Sequence, residues 1–319
     1  MLLLCAAFPT HTLAATAESF SNPNLKIKVP AGWEQKPVEH EQRYRDADLV
    51  LALGQQTYPV LKQYIEEYSK KNGLKIVVQP GTCGISAGKM LRKSIDIAAF
   101  CCPPSRTDRL PTVEFHSLGI APIALIAHPD NPIENISLQQ AREIFRGKIS
   151  RWTGVKPTPS LFDKSVQPVG RLHCKIRPGH WRSLLPKEDM FSSRLYEVGV
   201  IPDMISQVSR NPGAIGWETP LMVRQFADKG KVKMLNIGDM KPTDMKHVLN
   251  GDWPIYRTYH LAVWSDGSSS NKHALNLIGF LQDKIEKIHK EIGFVSPSEL
   301  RKAGWVFSGD ELVAPPKRL

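Results

Sequence analysis

Short apolar runs alternate with amphipathic stretches along this chain, and turns rich in glycine or proline separate them. Asp48 to Leu53 (DLVLAL) is continuously apolar after its first residue, as a strand buried on both faces must be. It stops at Gly54, Pro59 suits the first turn of a helix, and Val60, Leu61, Tyr64, Ile65 and Tyr68 follow at helical spacing. Leu74 to Val78 (LKIVV) predicts the next strand, and Gly81-Thr82-Cys83-Gly84 opens a helix to about Arg92. Ile95 to Phe100 (IDIAAF) predicts a third strand, broken by Cys101-Cys102-Pro103-Pro104. Strands that each lead through a polar turn into a helix describe an open parallel α/β sheet, whose ligands gather at the carboxyl ends of the strands.

The pattern continues with a strongly apolar strand at Ile120 to Ala127 and a turn at 128–132. Ser137 and Gln140 then form a capping box for a helix running through Phe145 to Gly147. Residues 187–208 read as mostly helical, and Asn211-Pro212-Gly213 turns into the run Ala214-Ile215-Gly216-Trp217. Strands near Val232–Leu235 and Tyr259–Trp264 and a helix from about Asn271 to His289 complete the series. Trp152, Trp217 and Trp253 read as core or hinge packing, and Arg92-Lys93 as a solvated helix end. No internal repeat is present.

A length of 319 residues suits about two domains. Lys and Arg number 42 against 31 Asp and Glu, a net charge of +11 that favours anionic partners. No basic block with interleaved aromatics and no zinc-finger pattern occurs, so nucleic acid is not expected as a partner. The first 17 residues combine a short apolar run with Ala15-Thr16-Ala17, a signal-peptide pattern, and residues 18–46 read as an irregular extension. No stretch approaches the ~20 apolar residues of a membrane span. The expectation is an exported periplasmic protein, monomeric and at most peripheral to the membrane.

Beyond Cys5, which would leave with the signal, the cysteines are Cys83, Cys101, Cys102 and Cys174. In an oxidising compartment the default is a disulfide, Cys83 to Cys101 or Cys102; no CxxC is present. The alternative is that thiolates face a cleft with His173 and His180 and bind a soft metal or metalloid. A Cys-His nucleophile has no identifiable third group, so no enzyme activity is expected. The densest chemistry lies in Val166 to Trp181 (VQPVGRLHCKIRPGHW), which packs Arg171, His173, Cys174, Lys175, Arg177 and His180 into ten residues. A helix beginning near His180 would add the positive end of its dipole, making an oxyanion pocket.

Several stretches, in order from about Leu49 to Val295, resemble the phosphate-binding protein of the high-affinity phosphate ABC transporter, a two-lobed periplasmic binding protein. Phe145-Arg146-Gly147-Lys148-Ile149-Ser150-Arg151-Trp152 and Asn211-Pro212-Gly213-Ala214-Ile215-Gly216-Trp217 carry the resemblance most specifically. Thr57-Tyr58-Pro59, Gly81-Thr82-Cys83-Gly84 and Asp96 to Cys101 resemble the family's ligand loops, and Arg171 with Gly179-His180 sits where it has Arg and Ser-Gly-Thr. The resemblance implies a type II fold with a mostly parallel sheet and flanking helices in each lobe. Lobe 1 would comprise 47–122 and 218–319 and lobe 2 123–217, with crossovers near 120–127 and 214–218. It implies a small oxyanion, phosphate or phosphate-like, bound by Thr57, Tyr58, Thr82, Cys83, Gly84, Cys101, Arg171, Lys175, Arg177, Gly179 and His180. No cofactor or resident metal is implied, and the partner would be an ABC permease or a membrane sensor. Arg171 is the expected main anchor, its removal leaving the unliganded protein's stability nearly unchanged. Cys101 stands where the family has an acidic acceptor, which would weaken discrimination between phosphate and fully ionised anions.

Overall fold

The structure, a computed structural model, describes residues 20–155, 161–175, 177 and 179–317. The expected signal peptide at 1–17 lies outside the described residues. The chain enters through an irregular segment and forms β1 (Leu49–Gly54), α1 (Tyr58–Asn72), β2 (Ile76–Gly81), α2 (Cys83–Leu91), β3 (Ile97–Phe100) and β4 (Val113–Pro122). It continues with β5 (Ala124–Ala127), β6 (Asn135–Ile136), α3 (Leu138–Phe145), β7 (Gln167–Gly170), β8 (Tyr196–Glu197), α4 (Ile201–Arg210) and β9 (Ala214–Glu218). There follow α5 (Pro220–Gln225), β10 (Lys233–Ile237), α6 (Met245–Leu249), β11 (Tyr256–Trp264), α7 (Lys272–Ile292), α8 (Pro297–Lys302), β12 (Val306–Ser308) and β13 (Glu311–Ala314). Among the described residues no helix is long and apolar enough to cross a membrane.

Two sheets carry the two lobes. The first has the order β2-β1-β3-β11-β4 and the second β6-β10-β5-β9-β7-β8. β1 runs parallel to β2 and β3, whereas β11 is antiparallel to both β3 and β4. In the second sheet β9, β7 and β8 run parallel, and β5 is antiparallel to both β9 and β10. Each sheet therefore has the same plan: one antiparallel strand, arriving directly from the other lobe, is inserted among strands that run the opposite way. The apolar runs explain the layering, since all six residues of β1 and all five of β9 are buried. Local signals hold as well: Ser137 and Gln140 make the reciprocal capping box of α3, and Pro59 sits in the first turn of α1.

Four expectations change. Residues 218–319 do not return to the first lobe together, because β10 pairs with β5 and β6 in the second sheet. The second crossover is the segment between β10 and β11, not 214–218, where β9 lies inside the second sheet between β5 and β7. Residues 187–208 are not mostly helical: a 3₁₀ turn at Glu188–Met190 and the strand β8 precede α4. Lys93 is not a solvated helix end either. It is 3% exposed, and its ammonium donates to the carbonyls of Glu34 and Lys36 and to the Ser269 hydroxyl.

These bonds tie the N-terminal extension to the first lobe, and His40 adds an ionic one. Its Nε2 lies 2.7 Å from Asp96 Oδ2, which also accepts the Val50 amide of β1. The hydrogen bond to Asp96 raises the His40 pKa above its ordinary 6.5, against the opposing effect of burial. A raised pKa means that this contribution is complete below about pH 6.5 and is lost as pH climbs through the raised value. The melting temperature difference between wild type and His40→Ala should therefore be largest at about pH 6 and shrink in alkaline buffer. A difference that does not change with pH in a thermal denaturation series would show that His40 contributes packing only.

Candidate functional site

The carboxyl ends of β1, β3, β7 and β9 and the first turn of α2 converge between the sheets. Arg171 follows β7 and is 1% exposed. Its Nη1 donates to Gln55 Oε1 at 3.3 Å and lies 3.4 Å from Glu218 Oε1, and its Nη2 is 3.4 Å from His180 Nε2. Glu218, the last residue of β9, is also buried, and its Oε2 accepts from Gln56 Nε2 at 2.6 Å and from the Thr219 amide at 2.9 Å. Arg257, in β11 of the first sheet, approaches the same carboxylate at 3.9 Å and Cys101 Sγ at 3.8 Å. Across the cleft floor, Arg177 makes a two-pronged ion pair with Asp108 and stacks over the Phe100 ring at 4.5 Å. Three buried guanidiniums thus face two buried carboxylates, which leaves one positive charge in excess.

The two histidines do not add to it. Burial, then Arg257 and Arg171, hold His180 well below its ordinary value. His173, packed edge-on to His180 at 4.8 Å, is lowered to about 4 by burial and Arg171. Both imidazoles are neutral at neutral pH.

All four cysteines of residues 20–319 meet here as unbridged thiols rather than the expected disulfide. Cys83 Sγ is 3.5 Å from Cys101 Sγ, and the thiols of Cys83, Cys101 and Cys102 all lie within 4.8 Å of one another. Cys174, on the loop of the second lobe, interacts with Cys83 from the other side. Hydrogen bonds from Cys101, Cys102 and Cys174 lower the Cys83 pKa well below the usual thiol range, and Arg177 assists. Its place in the first turn of α2 acts in the same direction. Cys101 accepts from Cys102, yet its bond to Cys83 and its burial push it up to about 12. Cys102 and Cys174 are raised too, Cys102 by its bonds to Cys101 and Cys83 and Cys174 by Cys83 and burial. Cys83 is therefore the first thiol of the group to ionise.

Of the residues singled out in the sequence, the structure brings together Cys83, Cys101, Arg171, Arg177, Gly179 and His180. It does not bring in the side chains of the others. Thr57 turns its hydroxyl back to the Gly54 carbonyl, and Tyr58 is half-buried against the first core beneath Lys62. Thr82 is spent capping α2 through the Ile85 amide, and Gly84 is exposed. Lys175 is exposed and paired with Glu188 at 2.8 Å. The helix expected at His180 is a four-residue 3₁₀ turn, too short to present a helix dipole. Arg171 is also not the independent anchor expected: Glu218 is buried against it, so Arg171→Ala would destabilise the fold as well as the site. Sequence reasoning missed Glu218, Arg257 and Asp108. A charged residue inside the apolar run Tyr256–Trp264, and another closing Ala214–Glu218, were the available signals.

Two sheets, each containing an antiparallel strand that comes from the other lobe, with buried cations and carboxylates between them, define a two-lobed binding-protein fold. The PBP superfamily domain model matches residues 39–284, and the chain belongs to that superfamily. The phosphate-binding protein PstS of Bacillus subtilis (strain 168) is 23% identical over 313 residues, 94% of each chain. The fold is that of an ABC-type phosphate transport receptor from Vibrio cholerae, with a TM-score of 0.62 and 16% identity over 78% of this chain and 100% of that one. A putative phosphate ABC transporter substrate-binding protein with bound phosphate from Clostridium perfringens gives 0.65 and 16%, over 78% and 98%. The chain is a divergent relative of these receptors, which bind and transport rather than catalyse.

Gly179 holds the basic loop against the first lobe. Its φ of +76° with ψ of −159° is a region open essentially to glycine alone, and an added Cβ would sit 3.2 Å from Pro103 Cδ and 3.9 Å from Cys102 Cβ. Gly179→Ala should cost about 1–3 kcal/mol and lower the melting temperature by a few degrees. It should also speed alkylation of Cys102 and Cys174, followed by mass spectrometry of labelled peptides. Unchanged melting and labelling would show that the loop is not held at this point.

Proposed function

We propose that this protein is an extracytoplasmic solute-binding protein that captures a small oxyanion, phosphate or a phosphate-like anion, by hinge closure for an ABC transporter. The observation that carries this reading is a set of buried polar atoms without hydrogen-bond partners in the cleft. They are Arg177 Nε, Arg257 Nε and Nη2, His180 Nδ1 and Glu218 Oε1. Buried donors left unpaired are costly, and a tetrahedral oxyanion offers several acceptors to guanidinium forks at once. The three buried guanidiniums favour an anion in the same place. No bond of the ligand is broken in this reading.

Glu218 Oε1 answers the missing acidic acceptor. A carboxylate there accepts a hydrogen from a protonated oxyanion and repels a fully ionised one, the role the sequence could not find once Cys101 occupied the family's acidic position. The names of the relatives support phosphate as the first ligand to try. Export, and a permease as the recipient, rest on the signal-like N-terminus and on the same relatives.

Calorimetric titration of the reduced protein with phosphate and sulfate tests this. Wild type should prefer phosphate by at least about tenfold, and Glu218→Gln, which keeps shape but not charge, should remove most of that preference. Binding of neither anion would overturn the reading, and a preference unaffected by Glu218→Gln would move the acceptor elsewhere.

A further inference from the structure

The arginines and Glu218 account for an oxyanion, but they leave four thiols unexplained. Cys83 opens α2, Cys101 and Cys102 follow β3, and Cys174 lies on the loop after β7. Nothing in the chain order brings these positions together; the fold does. The three thiols of the first lobe are buried at 2%, 6% and 1% exposure, with all sulfurs within 4.8 Å of one another. A thiophilic ion with metal–sulfur bonds of ~2.3 Å places its sulfurs about 3.8–4.0 Å apart, so small side-chain rotations convert this group into a coordination shell.

Charge selects the class of ion. Three thiolates around a divalent cation carry only one net negative charge, which the three buried guanidiniums beside them are placed to offset. Cys174 interacts with Cys83 from outside this group of three, and a rotation toward it would supply the fourth sulfur of the tetrahedral set that zinc-class ions prefer. Among the described residues no carboxylate, the ligand of hard cations, belongs to the three sulfurs' immediate set.

We propose that Cys83, Cys101, Cys102 and Cys174 form a binding site for one thiophilic divalent metal ion of the zinc and cadmium class. On binding, each coordinating S–H gives its proton to solvent and one sulfur–metal bond forms in its place; no electron changes hands. Three of the ligands belong to the first lobe and one to the second, so the ion fastens the lobes together. This site is independent of which oxyanion, if any, the arginines hold.

The test uses the full chain, freshly reduced without oxygen and titrated with Cd²⁺, followed by the ultraviolet thiolate-to-cadmium charge-transfer band. One equivalent should saturate a band with the intensity of three to four Cd–S bonds. Cys101→Ser and Cys102→Ser should each weaken binding by about tenfold or more and remove roughly a quarter to a third of the band. Cys174→Ser, at a partly buried position, should lose one sulfur's share of the band with an unchanged circular dichroism spectrum. Cys5→Ser should change nothing. Absence of the band in folded, reduced wild type overturns the proposal, as does a band indifferent to the Cys101, Cys102 and Cys174 substitutions. Arsenite, whose three-thiol adduct is neutral, is the contrasting probe: one equivalent of arsenite retained where Cd²⁺ is not would overturn the divalent assignment. Phosphate calorimetry on Cys174→Ser, which is not among the expected oxyanion ligands, separates the two readings. Cadmium binding without phosphate binding sinks only the oxyanion reading, and phosphate binding without cadmium binding sinks only this one.

Discussion

One carboxylate organises the cleft. Glu218 is buried completely, and a bare charge there would be costly enough to force protonation or unfolding. It is tolerated because Arg171 from the second lobe and Arg257 from the first stand on either side of it, with Gln56 and the Thr219 amide on its other oxygen. Gln56 is held in turn by the hydroxyls of Thr219 and Tyr259 on its carbonyl oxygen. Both sheets are therefore committed to one charge. Any ligand that enters between them meets an array whose donors and acceptor are already fixed by packing, so little ordering remains to be done on binding.

The Arg177–Asp108 pair does similar work at the other end of the cleft. Asp108 is prearranged by the Ser105 amide and hydroxyl, and Arg177 reaches it from the basic loop of the second lobe. With Gly179 against Pro103, this pair fastens the one irregular loop that carries most of the site's chemistry. Arginine fits such a position better than lysine would, because its planar fork satisfies both carboxylate oxygens while its face covers Phe100.

The fold was largely legible in the sequence because buried parallel strands leave continuous apolar runs, and Leu49–Gly54, Ile97–Phe100 and Ala214–Glu218 are such runs. What periodicity could not show was partnership. Val232–Leu235 reads as a strand in either sheet, and only long-range pairing places it beside β5. The site was legible where chemistry was dense, as in Arg171 to His180, and illegible where one charged residue sat in an apolar strand. Arg257 looks like an interruption of β11 until Glu218, 39 positions earlier, is seen across from it. Thr57 and Thr82 misled for a local reason: a hydroxyl at a helix start most often serves the backbone, and both do.

The antiparallel strand set inside each sheet has a consequence for how the chain is made. The second sheet is drawn from one continuous stretch, β5 to β10, and has all its strands once residue 237 has been synthesised. The first sheet does not. Its β3 and β4 belong on either side of β11, which begins only at Tyr256, and α7 follows later still. For more than a hundred residues of synthesis these two apolar strands have open edges and no partner between them, the condition that invites mispairing with other chains. The half of the molecule that begins first is the half that must wait, and a chain kept unfolded until its last fifth is available avoids that hazard.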